Sequence, residues 1–204
     1  MADRGHGTPA PVTTSVVDPL AWEPGSVSGS RHEAVLFVDV DFTDLEERGA
    51  SFDACTFLGI RFNASTHIDA AFTNCTFTGC SFFDTRLTGC KLVGSRFDRC
   101  TFDLLAVQGG DWSLAGLPGA DLRRASFRGV RLREADLTGA RFEGVTLRDT
   151  DLSGAWLRGA SFRGADLRGS DLSSLDPRAT DLQDALIDVE QAMVIAAALG
   201  LRIG

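Results

Sequence analysis

Three histidines, five cysteines and a large stock of aspartates are the groups from which this chain could build chemistry. His6, His32 and His67 are the side chains that exchange a proton near neutral pH. Cys55, Cys75, Cys80, Cys90 and Cys100 are candidate metal ligands, disulfide partners or nucleophiles. Neither set is arranged for such work. The cysteines are odd in number and show no CxxC spacing, which argues against a disulfide framework and against zinc. No GxxxxGK or GxGxxG loop gathers the glycines into a phosphate cradle. Arg128, Arg148 and Arg168 stand 20 residues apart, but Asp149 and Asp166 beside them make a mixed, solvated face rather than a nucleic-acid stripe. The expectation is a protein with no catalytic residues, no cofactor and no metal.

The element that must position all of these residues is a five-residue beat. Counting in fives from Phe37 reaches Phe42, Phe52, Phe57, Phe62, Phe72, Phe77 and Phe82, then continues through Leu87, Phe97, Phe127 and Phe162 to Leu182 and Ile187. Of the 14 Phe residues only Phe83 is off the beat. Only Glu47, His67 and Pro177 interrupt it with another kind of residue. Every cysteine lies two residues before a beat position, where Ala50, Ala70, Ala135 and Ala165 also lie. Cysteine there fills a small apolar slot as a buried free thiol, and reduced thiols fit a cytoplasmic protein. Glycine recurs two residues after the beat, from Gly49 to Gly169, which marks a repeated turn. Aspartates such as Asp121, Asp136 and Asp166 stand one residue before it, on the outside.

A period of five fits neither a 3.6-residue helix nor a long alternating strand. It fits a chain that points in, out and in, then turns a corner over two residues. Repeated corners make coils, and coils stack as a solenoid. Ala135-Asp136-Leu137-Thr138-Gly139 and Ala165-Asp166-Leu167-Arg168-Gly169 resemble the A(D/N)LXX motif of the pentapeptide-repeat family. The resemblance implies an all-β, right-handed quadrilateral β-helix with four repeats, 20 residues, per coil. Three regions are expected: a flexible tail over 1–33, the β-helix over 34–187, and a capping and dimerisation helix over 188–204. Val16, Val17, Leu20 and Trp22 form the one apolar cluster of the tail and are candidates for a lid.

The exceptions to the beat carry their own expectations. Glu47 and His67 stack on one face of the first coils, as a frayed face or a small polar contact site. Pro177 marks the end of regular coil. The text from Leu104 to Pro118 is the weakest repeat internally and marks a kink. Asp188 with Gln191 three residues on makes a capping box, and Gly200 is a natural stop. Val189, Ala192, Met193, Ala196 and Ala197 then give a helix apolar on more than one side, which calls for a second copy of the chain.

Within the family the chain is similar to the MfpA/Qnr group, and to MfpA most of all in its final stretch from Ile187 to Leu201. That resemblance implies a homodimer joined through the C-terminal helices, an acidic rod that occupies the DNA-binding saddle of DNA gyrase. It further implies gyrase inhibition and resistance to fluoroquinolones or related topoisomerase poisons. The register has no insertions, which favours competition with DNA over loop-mediated protection. A net charge of -8 argues against direct contact with nucleic acid or an acidic membrane. The acidity is mild and mixed, with 11 acids and 7 bases over 31–110 and 14 and 12 over 111–204. Candidate gyrase contacts are Asp151, Asp171, Asp181 and Asp184, with Phe83 as an outward-pointing apolar contact. The rival reading is a non-enzymatic scaffold for another cytoplasmic protein.

Overall fold

A computed structural model, describing residues 10–17 and 27–202, shows a right-handed quadrilateral β-helix closed by one helix. Strands of three residues pair in parallel with the strand 20 residues further on, as in Phe37 with Phe57, Glu47 with His67 and Phe52 with Phe72. Three faces carry named sheets of five, six and three strands. The remaining face is held by isolated bridges such as Asp41–Arg61–Ser81–Thr101. We number the faces by their beat residues in chain order: Phe37 begins the first, Phe42 the second, Glu47 the third and Phe52 the fourth.

The five-residue beat folds this way because its two inward residues are all the core needs. Beat residues from Phe37 to Leu172 are buried, together with most of the residues two before them. The slot is filled mostly by Ala, Cys, Ser, Thr and Val, with Leu45, Ile60, Leu105 and Leu175 as larger buried exceptions. Stacking then places like on like: Phe37–Phe57, Phe57–Phe77 and Phe52–Phe72 lie with centroids 4.8 Å apart and planes within 8°, the spacing of the ladder itself. Corner residues adopt left-handed φ, with Gly at 49, 59, 79 and onward and Asp or Asn at several others. At Gly169 a Cβ would lie 2.2 Å from Asp149 Oδ1, so close approach adds to the conformational reason for glycine there.

The slot does more than fill space. The thiols of Cys75, Cys80, Cys90 and Cys100 donate to the carbonyls of Phe52, Phe57, His67 and Phe77, each 23 residues earlier, at 3.3–3.5 Å. The hydroxyls of Thr85, Ser95 and Ser170 make the same bond. All five cysteines are free.

The coil starts earlier than residue 34. Val27 and His32 stand on the same beat; Val27 is buried, and His32 stacks on Phe52 at 5.0 Å. Arg31–Glu33 pairs with Ser51–Asp53, and Ser15–Val16 pairs with Val35–Leu36. Residues 27–33 and the Ser15–Val16 strand thus belong with the solenoid rather than with a flexible tail. Histidine and valine in place of phenylalanine hid the beat there. Of the suggested lid, Val17 packs against the core and Val16 is exposed; Leu20 and Trp22 lie outside the described residues.

Candidate functional site

The C-terminal end is built around Asp188. Its backbone is extended, its carboxylate accepts from the Gln191 amide at 2.9 Å, and the Gln191 side chain accepts from the Asp188 amide, completing the capping box. The helix spans Val189–Ala198. The same carboxylate accepts from the Gly169 amide one coil back, at 3.0 Å. These two amide contacts hold its pKa below the ordinary carboxylate value. Gln191 is buried and donates to the carbonyls of Leu167 and Ser170 at 2.6 and 2.7 Å. Arg178, in the turn after Pro177, reaches over to donate to the carbonyls of Ala198 and Leu199. It satisfies groups that the helix end leaves free. Polar pins therefore fasten both ends of the helix to the last coils, with Ile195 packed against the core between them.

The opposite side of the helix has no cover among the described residues. Val189 is 78 % and Met193 47 % exposed, and Ala192 and Ala197 are exposed as well. Ala196 is half-buried. Leu186, Val194, Leu199 and Leu201 extend the exposed apolar surface around it. Leu186 was not among the residues expected here, although its signal is present in the sequence. It occupies the position before the beat, which is polar in most repeats. Trp156 breaks the same rule and is exposed on the first face.

The four candidate acids differ in what surrounds them. Asp151 is 3.0 Å from Arg133, and Asp181 is 3.0 Å from Arg163. Partial burial opposes ionisation of Asp151, but the Ser153 hydroxyl and amide, with Arg133 and Arg131, together hold its pKa below the ordinary value. For Asp181 the Gln183 amide, then Arg163, does so. Asp171 accepts from the Ser173 amide, and Asp184 sits on a corner with φ 59°. Neither has an ion pair among the described residues. Phe83 points outward and is 47 % exposed. It lies on the second face, away from the helix end, so the structure does not bring the five candidates into one patch.

Glu47 and His67 are neither frayed nor a surface contact. They are 3 % and 1 % exposed, on the first two full strands of the third face. His67 Nδ1 lies 3.0 Å from Glu47 Oε1, Glu47 Oε2 accepts from the Ala50 amide, and Ser65 Oγ lies 2.9 Å from His67 Nε2. Ser65 gives its only proton to the Phe62 carbonyl, so Nε2 must donate to Ser65. Nδ1 faces the Glu47 carboxylate, so the two buried side chains satisfy each other. Serine, histidine and acid follow the order of a hydrolase triad, yet all three are sealed in the core and Ser65 is committed to the main chain. The signal for Ser65 was available: a serine two before a histidine recurs at Ser30 and His32, which are also 2.9 Å apart. Burial pushes the Cys90 thiol up to about 12, which keeps it protonated. Among the described residues no cluster of His, Cys, Asp and Glu could hold a metal ion.

Fold and repeat together define a pentapeptide-repeat β-helix. The family described as pentapeptide repeats (8 copies) matches residues 117–144 and 146–184, and the SV2A/B/C luminal domain family matches 26–102. The chain has the pentapeptide-repeat β-helix fold, Qnr-like in architecture. One similar structure is a trypsin-treated variant of QnrB1, a plasmid-mediated fluoroquinolone resistance protein. It has 22% identity and a TM-score of 0.54, covering 95% of this chain and 97% of that one. HetL, a pentapeptide-repeat protein involved in heterocyst differentiation regulation in Nostoc sp. strain PCC 7120, is 21% identical, with a TM-score of 0.45. That match covers 78% of this chain and 75% of HetL, and is too loose to carry an argument. No curated protein sequence matches the chain.

Proposed function

We propose that this protein is a non-enzymatic DNA mimic that dimerises through its C-terminal helix and binds DNA gyrase or a related type II topoisomerase. In the cytoplasm it inhibits or protects that enzyme and so gives resistance to fluoroquinolones or related poisons. The observation that carries this reading is the uncovered face of Val189, Ala192, Met193 and Ala197, on a helix pinned firmly to the coil beneath it. A helix fixed on one side and apolar on the other fits a second copy of itself. Two acidic β-helices joined end to end make a long rod with no side branches.

Charge density sets the terms of the mimicry. A coil rises about 4.8 Å, a length over which duplex DNA carries about three charges. The net -8 of the whole chain amounts to roughly one per coil. Arginines also neutralise Asp151 and Asp181. Shape, with Asp171 and Asp184 as uncompensated charges, therefore carries more of the recognition than a continuous phosphate-like track. This mixed surface is what favours the rival reading, a scaffold for another protein.

Supercoiling by purified gyrase tests the proposal. Inhibition at micromolar dimer is expected, and Met193→Asp should give a monomer by light scattering with inhibition at least tenfold weaker. No inhibition by the wild-type dimer would leave the scaffold reading; a Met193→Asp protein that remains dimeric would remove the helix interface.

A further inference from the structure

Apart from the turn at 176–179 near the C-terminal end, where the first face loses its bridge beyond Trp156, the ladder of the described rod is interrupted in the middle. On the second face the bridges run Asp41–Arg61–Ser81–Thr101 and resume at Asp121–Arg141–Ser161–Asp181, with none joining Thr101 to Asp121. The Phe82 amide donates to the Thr101 carbonyl and the Arg141 amide to the Ala120 carbonyl, but the corresponding bonds from Phe102 and Asp121 are missing. At the next corner the Leu104 amide bonds the Arg124 carbonyl, one residue out of the step kept by Asp44, Ala64 and Asp84.

Independent features converge on the same coil. Of the small slot residues from 40 to 175, all are buried except Cys100, Gly110 and Ala120. Ring stacking on the second face widens from 4.8 Å for Phe62–Phe82 to 5.6 Å for Phe82–Phe102, and returns to 5.0 Å at Phe142–Phe162. Arg99, Leu104 and Leu114 hold left-handed φ of 52°, 61° and 61°, a conformation that bulky side chains rarely adopt.

Two residues set this coil apart and are taken as the cause of the defect. Pro118, on the first face of the same coil, has no amide proton to give. Trp112 is among the largest fully buried side chains, and its indole Nε1–H has no partner among the described residues. Gly110 occupies the slot before Trp112 on the fourth face. A Cβ at Gly110 would lie 2.1 Å from the Cys90 carbonyl oxygen. The opposite face is the second, where the ladder is open.

We propose that residues 99–122 form a joint that opens locally and divides the rod into two cooperative blocks, 27–98 and 123–187. Local opening draws on the least-bonded part of a fold, and a solenoid coil contacts only its neighbours, so one weak coil uncouples the stack. Only the second face is open; the first, third and fourth stay bridged through this coil. When the joint opens, the blocks tilt about the fourth, opposite the gap, where Lys91–Asp111–Arg131 is bridged. A long partner surface is then met by a rod that bends in the middle. The joint does not depend on which partner that is.

Residue-resolved hydrogen exchange of the full chain tests this. The Phe102 and Asp121 amides should exchange at least tenfold faster than Phe82 and Arg141, their counterparts on the same face. A ratio below tenfold overturns the joint. Pro118→Thr restores a donor and Trp112→Leu reduces the core volume. The double variant should slow Phe102 and Asp121 at least tenfold while Phe82 and Arg141 change less than threefold. If the double variant does not fold, Pro118→Thr alone must show slowing of at least threefold at Asp121. Unchanged exchange in a folded variant overturns the assigned cause.

Discussion

The blocks on either side of residues 99–122 use one backbone register for two kinds of core. The N-terminal block stacks Phe on Phe, with centroids at 4.8 Å, and buries Glu47, His67 and Ser65 among the rings. The C-terminal block is mainly Leu and Ala, with Phe127, Phe142 and Phe162 as its aromatic exceptions; the polar side chains it buries are the small hydroxyls of Thr150 and Ser170, and its charges pair outside as Arg–Asp. The ladder tolerates both because it fixes only the inward direction and the size of each residue, not its chemistry. A buried polar group survives where its column neighbours satisfy it, and the column is set by a spacing of 20.

The largest contrast should come from breaking the buried column. His67→Leu leaves Glu47 without its partner and is expected to cost about 3–5 kcal/mol in urea unfolding. Adding Glu47→Leu should restore wild-type stability or exceed it by about 1–4 kcal/mol. In the C-terminal block, Leu147→Ala should cost about 2–5 kcal/mol in the same measurement. That loss comes from the cavity alone and leaves no charge unpaired. A smaller effect separates the blocks by pH. Burial lowers the pKa of His32 below 6.5, so the folded state takes up a proton less readily than the unfolded chain. The penalty is absent above about pH 6.5 and grows as pH falls toward the folded value. His32→Phe should remove that part of the acid sensitivity in thermal melts between about pH 7 and 5. The smallest effect belongs to the surface of the C-terminal block. Asp166 is held at about 2 by hydrogen bonding to Arg168. The stability it contributes is complete above about pH 4 and lost as pH falls through about 2. Because both partners are partly in water, Asp166→Asn should cost no more than about 1 kcal/mol at pH 7.

Much of this was legible in the sequence because the beat counts residues and ignores their neighbours in space. It placed Cys75 and Cys90 in the slot, predicted the Asp188–Gln191 box and expected the disturbance between Leu104 and Pro118. Pro177 does not end the coil as expected: residues 176–179 close a turn on the first face alone, and Asp181 and Leu186 remain bridged to the coil before. It could not show that Glu47 and His67 satisfy each other, because that requires knowing the column is closed to water. It also began too late. Val27 and His32 fit the beat only once a non-phenylalanine centre is allowed. Arg178 was invisible for a different reason: its contact with the helix end depends on how the last turn crosses the coil, which no local pattern encodes.

If the rod takes the place of DNA on a type II topoisomerase, as proposed, protein and DNA must compete for one site. The most direct test is binding of the labelled dimer to purified gyrase while linear duplex DNA is titrated in. Mutual displacement is predicted, with the labelled protein released in proportion to DNA bound. A stable complex holding protein and DNA together on the same gyrase site, or no binding at all, would contradict it.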